Sequence, residues 1–309
     1  MQSQLILLGL ALTLVVGGAC RSTQDPESAA TGEAGPEPYV SGIVSTAPSP
    51  IGQFLAELDR DIGKWTQLTL TASTDKERRK TSILQAALNE RASRRTDELI
   101  EQLEGGPTQN RIRAAAALGF TASPAAQSPL LAALHDDSPD VVCNALLGLT
   151  LLEMPDTPLD SIASLFKTSP DSQIRANAGY AIRSILEAGG KPTPQIAGAT
   201  QLGLIDDDPF VRTHSALIAG LIGDVDSLMA LRDMLDDEAE LVSRSAARGL
   251  LMIGKTHPQA KPPVAVALAE AMHNAKRPQR GSLRRALVEL SGQNLGEDPE
   301  AWTKWAREL

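Results

Sequence analysis

A helical pattern that returns six times constrains the fold of this 309-residue chain more than any other feature. The copies begin at residues 110, 141, 174, 211, 242 and 282, so the steps between them are 31, 33, 37, 31 and 40 residues. The fifth position of each copy is small (Ala114, Ala145, Ala178, Ser215, Ala246, Ala286), and the ninth is mostly bulky and apolar (Leu118, Leu149, Ile182, Ala219, Leu250, Leu290). Positions four apart stack on a helix, so each copy predicts one helix with an apolar stripe.

Each copy is followed by a breaker and then by a second helical stretch. Three second helices end at Leu134, Leu204 and Leu235, seven residues before the next copy. Acidic turns (residues 136–139, 206–209 and 236–238) fill the intervals, and their carboxylates are expected to cap the next helix. A pair of helices cannot bury its own apolar face. The pattern therefore predicts an all-α fold, an α-solenoid of stacked helical hairpins.

Residues 211–224 (VRTHSALIAGLIGD) make the repeat recognisable. They resemble the HEAT-like repeat of the phycobilisome-lyase type along its whole first helix. The similarity covers residues 96–292, and residues 51–95 are interpreted as a diverged N-terminal helical cap. The resemblance implies a stack that presents an extended surface to partners.

The last residues, 293–309, are predicted to form a C-terminal capping helix. The stretch from Leu290 to Trp305 resembles a terminal motif of bacterial HEAT-repeat proteins, with Asp298 as N-cap and Pro299 as the first helical residue. Trp302 and Trp305 share a helix face. They are expected to cover the open end of the last repeat; a binding role is the alternative.

The N-terminus looks like a targeting segment. Residues 5–16 are apolar, too few to span a bilayer, and Gly17, Gly18 and Ala19 lead to Cys20. This ending resembles the lipobox of bacterial lipoproteins, which implies a signal peptide over residues 1–19 and lipidation of Cys20. An ordinary secretory signal cut near Ala19, or a retained membrane segment, are the alternatives. The expected location is the bacterial cell envelope, with the protein lipid-anchored and facing the periplasm or the exterior.

A tether is predicted between anchor and repeats. Residues 20–50 are rich in Ser, Thr, Ala, Gly, Pro and Glu and lack apolar periodicity. Such a segment cannot offset its ordering entropy by burial, so it is expected to be disordered. About thirty residues of coil reach roughly 30 Å.

Catalytic machinery is not visible in the sequence. The histidines (His135, His214, His257, His273) do not pair with one another or with Cys at metal-ligand spacing, and no Gly-x-Ser-x-Gly motif occurs. We therefore predict no catalytic residue, no cofactor and no metal. His214 is interpreted as a partly buried structural imidazole and Cys143 as a core thiol.

The charged residues suggest structural roles. The run Asp206 to Asp208 is interpreted as a capping turn, with cation binding as the alternative. Arg111, Arg175 and Arg212 recur at the second position of their copies and are expected to form a ladder with the turn aspartates, or else to meet an acidic partner. The net charge of −9 disfavours nucleic acid as a ligand and favours a partner whose contact patch is neutral or basic.

These features predict a membrane-tethered scaffold that binds a protein partner. The second helices are expected to build the concave face, with six exposed candidate positions: Ser128, Ala132, Asp160, Ser164, Arg232 and Asp233. An enzyme of the chromophore-lyase type is the alternative that the family resemblance offers, although an exported chain would not meet a cytosolic chromophore client. A structural accessory of an envelope complex is a third interpretation, and the sequence does not separate it from the first.

Overall fold

The computed structural model describes residues 50–309, so the predicted signal peptide, Cys20 and nearly all of the tether lie outside the described residues. This part of the chain is all-α, without a strand, which confirms the predicted fold class. Its fifteen α-helices are α1 (Ile51–Thr71), α2 (Asp75–Ser93), α3 (Thr96–Gly105), α4 (Thr108–Leu118), α5 (Gln127–Ala132), α6 (Pro139–Leu152), α7 (Asp160–Thr168), α8 (Ser172–Glu187), α9 (Pro194–Gly203), α10 (Pro209–Ile222), α11 (Leu228–Asp233), α12 (Glu240–Thr256), α13 (Lys261–Asn274), α14 (Arg277–Ser291) and α15 (Pro299–Arg307).

The six sequence copies form α4, α6, α8, α10, α12 and α14, which stack side by side in one row. The helices between them (α3, α5, α7, α9, α11 and α13) form a second row behind the first. The hairpins α3–α4, α7–α8 and α9–α10 show that a copy packs against the helix that precedes it. The structural repeat therefore begins one helix earlier than the sequence copy.

The two rows are spaced differently along the stack. Consecutive copy helices all pack along their length. In the other row α7 and α9 pack against each other, whereas α5 and α7, or α9 and α11, hardly touch. Glycines permit the close approach: an ideal Cβ on Gly148 would lie 2.7 Å from the Ala115 carbonyl oxygen, and one on Gly220 would lie 2.8 Å from the Gly249 Cα. A stack bends toward its more closely spaced row. We therefore call the copy helices the inner row and the others the outer row.

The repeat columns form the core as the sequence predicts. Every residue at the fifth position of a copy is at most 5% exposed, and every residue at the ninth position is at most 6% exposed. In most copy helices a small residue is thus followed one helical turn later by a bulky one. Small residues can then face bulky ones on the neighbouring helix, which fills a close-packed interior without voids. Burial is distributed along the whole stack rather than around one centre.

Both ends of the stack are closed by helices outside the repeat. At the N-terminal end α1 packs against α4. There, the rings of Trp65 and Phe120 meet edge to face with centroids 5.2 Å apart. At the C-terminal end α15 packs against α13, and Asp298 caps it as predicted by accepting the Glu300 N–H. Trp302 is fully buried, whereas Trp305 is only half-buried against its edge. Trp302 therefore does most of the covering expected of the pair.

Candidate functional site on the inner row of helices

Three arginines at the second position of their copies form the predicted ladder. Each guanidinium makes two hydrogen bonds to an aspartate in the turn before the next copy helix and donates to backbone carbonyls of its own turn. Hydrogen bonds from Arg111 hold the pKa of Asp136 below its usual value, against the opposing effect of burial. These arginines join neighbouring repeats and are not available to a partner. The pairs are Arg111–Asp136, Arg175–Asp206 and Arg212–Asp237, with N–O distances of 2.8 to 3.1 Å.

The acidic turns cap helices less often than predicted. Asp208 accepts the N–H groups of Phe210 and Val211 at 2.8 and 3.3 Å, so it caps α10 as expected. Asp136 and Asp237 instead accept an N–H within their own turns, because their carboxylates are already held by arginine. Within residues 50–309, no group of His, Cys, Asp and Glu side chains is arranged to hold a metal ion.

Arg183 is the most unusual residue of the inner row. It stands at the tenth position of its copy, where two other copies carry Gly119 and Gly220. Its side chain is 2% exposed and its Nε has no hydrogen-bond partner, and no carboxylate of the described residues lies within 4.0 Å of it. The guanidinium carbon lies 5.0 Å from the centroid of the Tyr180 ring. A buried cation without an ionic partner costs free energy, so this position needs an explanation beyond packing.

His214 lies beside this arginine and is more deeply buried than the sequence suggested. Its imidazole is 1% exposed, stacks on Tyr180 with centroids 5.5 Å apart, and has no hydrogen-bond partner at either nitrogen. Burial lowers the pKa of His214 well below its usual value, and the charge of Arg183 adds to the effect. The shift favours the neutral imidazole, and neither nitrogen makes a hydrogen bond to a second group. Its structural role agrees with the prediction.

Two carboxylates border the same region. Glu153 ends α6 with a left-handed φ of 48°, a conformation that costs energy for any residue with a side chain. Burial raises the pKa of Glu153. Glu187, at the end of α8, has its pKa raised by partial desolvation, while the charge of Arg183 lowers it and that of Glu153 raises it; its side chain remains exposed.

We call Glu153, Tyr180, Arg183, Glu187 and His214 the central cluster. Burial raises the pKa of Tyr180 to about 12. The cluster therefore presents a neutral imidazole, an un-ionised phenol and an unpaired guanidinium. Recognition chemistry is available here, because the donors and acceptors are incompletely used. The sequence offered one signal for it: an arginine in a column where two other copies carry glycine and none carries another charged residue.

The six candidate positions for partner binding lie on α5, α7 and α11, and all six are exposed as predicted. These helices belong to the outer row. The close approach of the copy helices disfavours the prediction that the second helices build the concave face, which stays a prediction. Arg232 forms an ion pair with Glu270 at 3.4 Å on the rim of an open cleft of about 300 Å³ between α11 and α13.

The other residues singled out from the sequence, Cys143, His273 and His257, make packing or hydrogen-bond contacts within the stack. Cys143 is half-buried against the core of the stack, and Nε2 of His273 lies 3.0 Å from Oγ1 of Thr303 on α15. An ideal Cβ on Gly223 would press on the His257 ring, so the two are in contact. Of the helices that the structure describes, none is both long and apolar enough to cross a membrane.

Comparison with known proteins agrees with this architecture. The HEAT repeats family model matches residues 96–183, which are α3 to most of α8. No curated protein sequence matches the chain. Among solved structures, a designed armadillo repeat protein is 18% identical over 62% of this chain and 98% of its own, with a TM-score of 0.50.

Two natural proteins are similar more loosely. The complex of CpcE and CpcF of phycocyanin lyase from Nostoc sp. PCC7120 is 19% identical over 88% of this chain and 99% of its own, with a TM-score of 0.39. Human deoxyhypusine hydroxylase is 18% identical over 79% of this chain and 95% of its own, with a TM-score of 0.36. Residues 96–183 thus match the HEAT repeats model, and the described part of the chain has the fold of an armadillo or HEAT solenoid.

Proposed function

We propose that this HEAT-repeat protein is a non-catalytic scaffold that binds a protein partner along its inner row while tethered to the bacterial cell envelope. Stacked repeats suit this role, because they offer a long shallow surface on which many weak contacts add together. The binding surface is the exposed side of α4, α6, α8, α10, α12 and α14. The tether is the segment before residue 50, with lipidated Cys20 at its start.

One observation carries the choice of the inner row: the central cluster leaves Arg183 and His214 buried with unused polar atoms. Proteins retain such costly groups where a ligand completes them or where function requires them. The arginine ladder, by contrast, is saturated by its aspartates and binds the repeats together. A partner lying across α8 and α10 would meet the cluster and the half-buried ring of Tyr180.

Site-specific photocrosslinking in intact envelopes tests this assignment. A photoreactive amino acid replaces Leu147 or Tyr180, which occupy the seventh position of two inner-row copies. The matched controls carry it at Ala132 or Ser164, which are exposed on the outer row. We expect one and the same protein to crosslink at both inner positions and at neither control. Crosslinking from the outer positions alone would refute the proposal.

The anchor is tested separately. Full-length protein in a bacterial host should partition into membranes and incorporate labelled palmitate, and Cys20→Ser should abolish both. The substitution should leave the helical far-UV spectrum unchanged, since Cys20 precedes the first helix at Ile51. Recovery of the unchanged chain as a soluble, unlabelled protein would favour ordinary secretion instead.

A further inference from the structure

The exposed side of the last two inner-row helices is basic, although the chain as a whole carries a net charge of −9. On α12, Arg244, Arg248 and Lys255 have side chains that are 43, 52 and 51% exposed. On α14, Arg280 and Arg285 are exposed and Arg284 is half-buried. We call Arg244, Arg248, Lys255 and Arg285 the basic face.

Contacts across the two helices show that the basic face is one surface. Glu289 of α14 lies 3.4 Å from the Arg248 guanidinium and 2.9 Å from the Lys255 ammonium of α12. Arg285 stands one helical turn before Glu289, so it lies on the same side of α14. Because α12 is flanked by α10 and α14 and backed by α11 and α13, its exposed residues look out from the inner row.

Local acids do not neutralise this surface. Glu240 pairs with Arg244 within α12, and Glu289 is shared by two basic side chains. Glu187 of the central cluster is electrostatically coupled to Arg248 at the border of the face. Within the described part of the chain, no ion pair reaches Arg280, Arg284 or Arg285. The basic face therefore keeps a local excess of positive charge.

We propose that the basic face binds an acidic polypeptide segment of the protein partner. This inference rests on the proposed function and names the chemistry that its inner row recognises. It also revises the expectation of a neutral or basic contact patch, because the net charge averages over the acidic turns and hides the local field. We commit to a polypeptide rather than a lipid surface because the proposed function assigns the inner row to a protein partner.

Fluorescence anisotropy with a labelled peptide of twelve glutamates, added to the full-length chain, tests the inference. The variant Arg244→Glu, Arg248→Glu, Arg285→Glu reverses charge on the face. The matched control, Lys76→Glu, Arg79→Glu, Lys80→Glu, makes the same change of charge on exposed positions of α2. A third protein, Arg244→Gln, Arg248→Gln, Arg285→Gln, serves if charge reversal disturbs folding.

We expect the unchanged chain and the α2 control to bind the peptide alike, and both basic-face variants to bind at least about tenfold more weakly. Binding should weaken as salt is raised. Equal loss in the α2 control would show a nonspecific charge effect and overturn the inference. Binding of phosphatidylglycerol vesicles through these residues, without binding of the peptide, would overturn it in favour of a lipid surface.

The outcome is distinguishable from failure of the proposed function. If photocrosslinking finds a partner on the inner row but the basic-face variants bind the acidic peptide normally, only this inference fails. If the inner positions capture nothing, the proposed function fails whatever the peptide does.

Discussion

Replacing Gly249 by Ala probes the close approach that defines the inner row. In an ordinary helix interior this change stabilises by about 0.5–1 kcal/mol, because alanine has the better helix propensity. Here the added Cβ would stand closer than 3.0 Å to the backbone carbonyl oxygen of Ala216 on α10. A backbone atom inside a helix cannot step aside cheaply, and overpacking of this kind costs about 1–3 kcal/mol. We expect a net loss of about 1–2 kcal/mol.

Gly281→Ala is the matched control, since Gly281 lies inside α14 and a Cβ there would meet nothing within 4 Å. It should stabilise by about 0.5–1 kcal/mol. Hydrogen exchange is the suitable assay, because a solenoid opens locally and a single unfolding midpoint averages over repeats. Gly249→Ala should speed exchange in α10 and α12. If both variants slow exchange alike, the copy helices are not closely packed and the assignment of the inner row is refuted.

Three further substitutions test separate parts of the structure. Burial holds the pKa of His214 in the folded chain well below its usual 6.5, so the unfolded chain binds a proton there more readily, and below pH 6.5 the free energy of unfolding should fall by about 1.4 kcal/mol per pH unit. In denaturant unfolding His214→Phe should lose this dependence on pH, and an unchanged pH profile would contradict the burial of a neutral imidazole. Asp206→Ala should lower the free energy of unfolding by about 2 kcal/mol because Arg175 loses its partner, whereas Asp207→Ala, at an exposed position of the same turn, should hardly change it. Equal effects would show that the arginine ladder does not stabilise the stack. Trp302→Ala should lower the local free energy of unfolding by about 3–5 kcal/mol, so that α13 and α15 exchange their amide hydrogens faster while α3 to α8 stay protected. Unchanged protection would favour the alternative that Trp302 binds a partner.

The α-solenoid architecture could be predicted from the sequence because the residue types at fixed positions of each copy specify how the helices pack. The small fifth position and the bulky ninth position specify which side of each copy is buried, and the structure buries both. The arginine ladder was also predictable, since arginine and turn aspartate recur together at a fixed offset, as in Arg175 and Asp206. Local periodicity and repetition are the kinds of signal that one sequence expresses clearly.

Curvature was not predictable in the same way. The periodicity of apolar residues predicts which side of a helix is buried. Helices of both rows have one buried side, so periodicity does not predict which row is the inner one. That choice depends on helix-to-helix distances set by pairs such as Gly119 and Gly148, which approach one another from different repeats. The six outer-row candidates therefore stay predictions of exposed positions, and their place on the concave or the convex side is not fixed by periodicity.

The central cluster and the basic face escaped prediction for a related reason. Arg183 is unusual because it is buried and its Nε has no hydrogen-bond partner, and a repeat column does not reveal the contacts that a side chain makes. The basic face combines residues of α12 and α14 that are distant in sequence and come together only through the stacking. The net charge of the whole chain reveals neither the buried arginine nor the local cluster of basic residues.

The most direct test of the account is a pair of distances measured by electron spin resonance between spin labels on full-length protein with Cys143 replaced by Ala. One pair is at Leu147 and Arg248, the seventh positions of two inner-row copies, three repeats apart. The other is at Ala132 and Asp233, exposed outer-row positions that each stand nine residues before those copies. At about 8–10 Å per packed helix, the inner distance should be near 30 Å, and the outer distance should be clearly longer. An outer distance equal to or shorter than the inner one would contradict the account and place the concave binding face on the outer row.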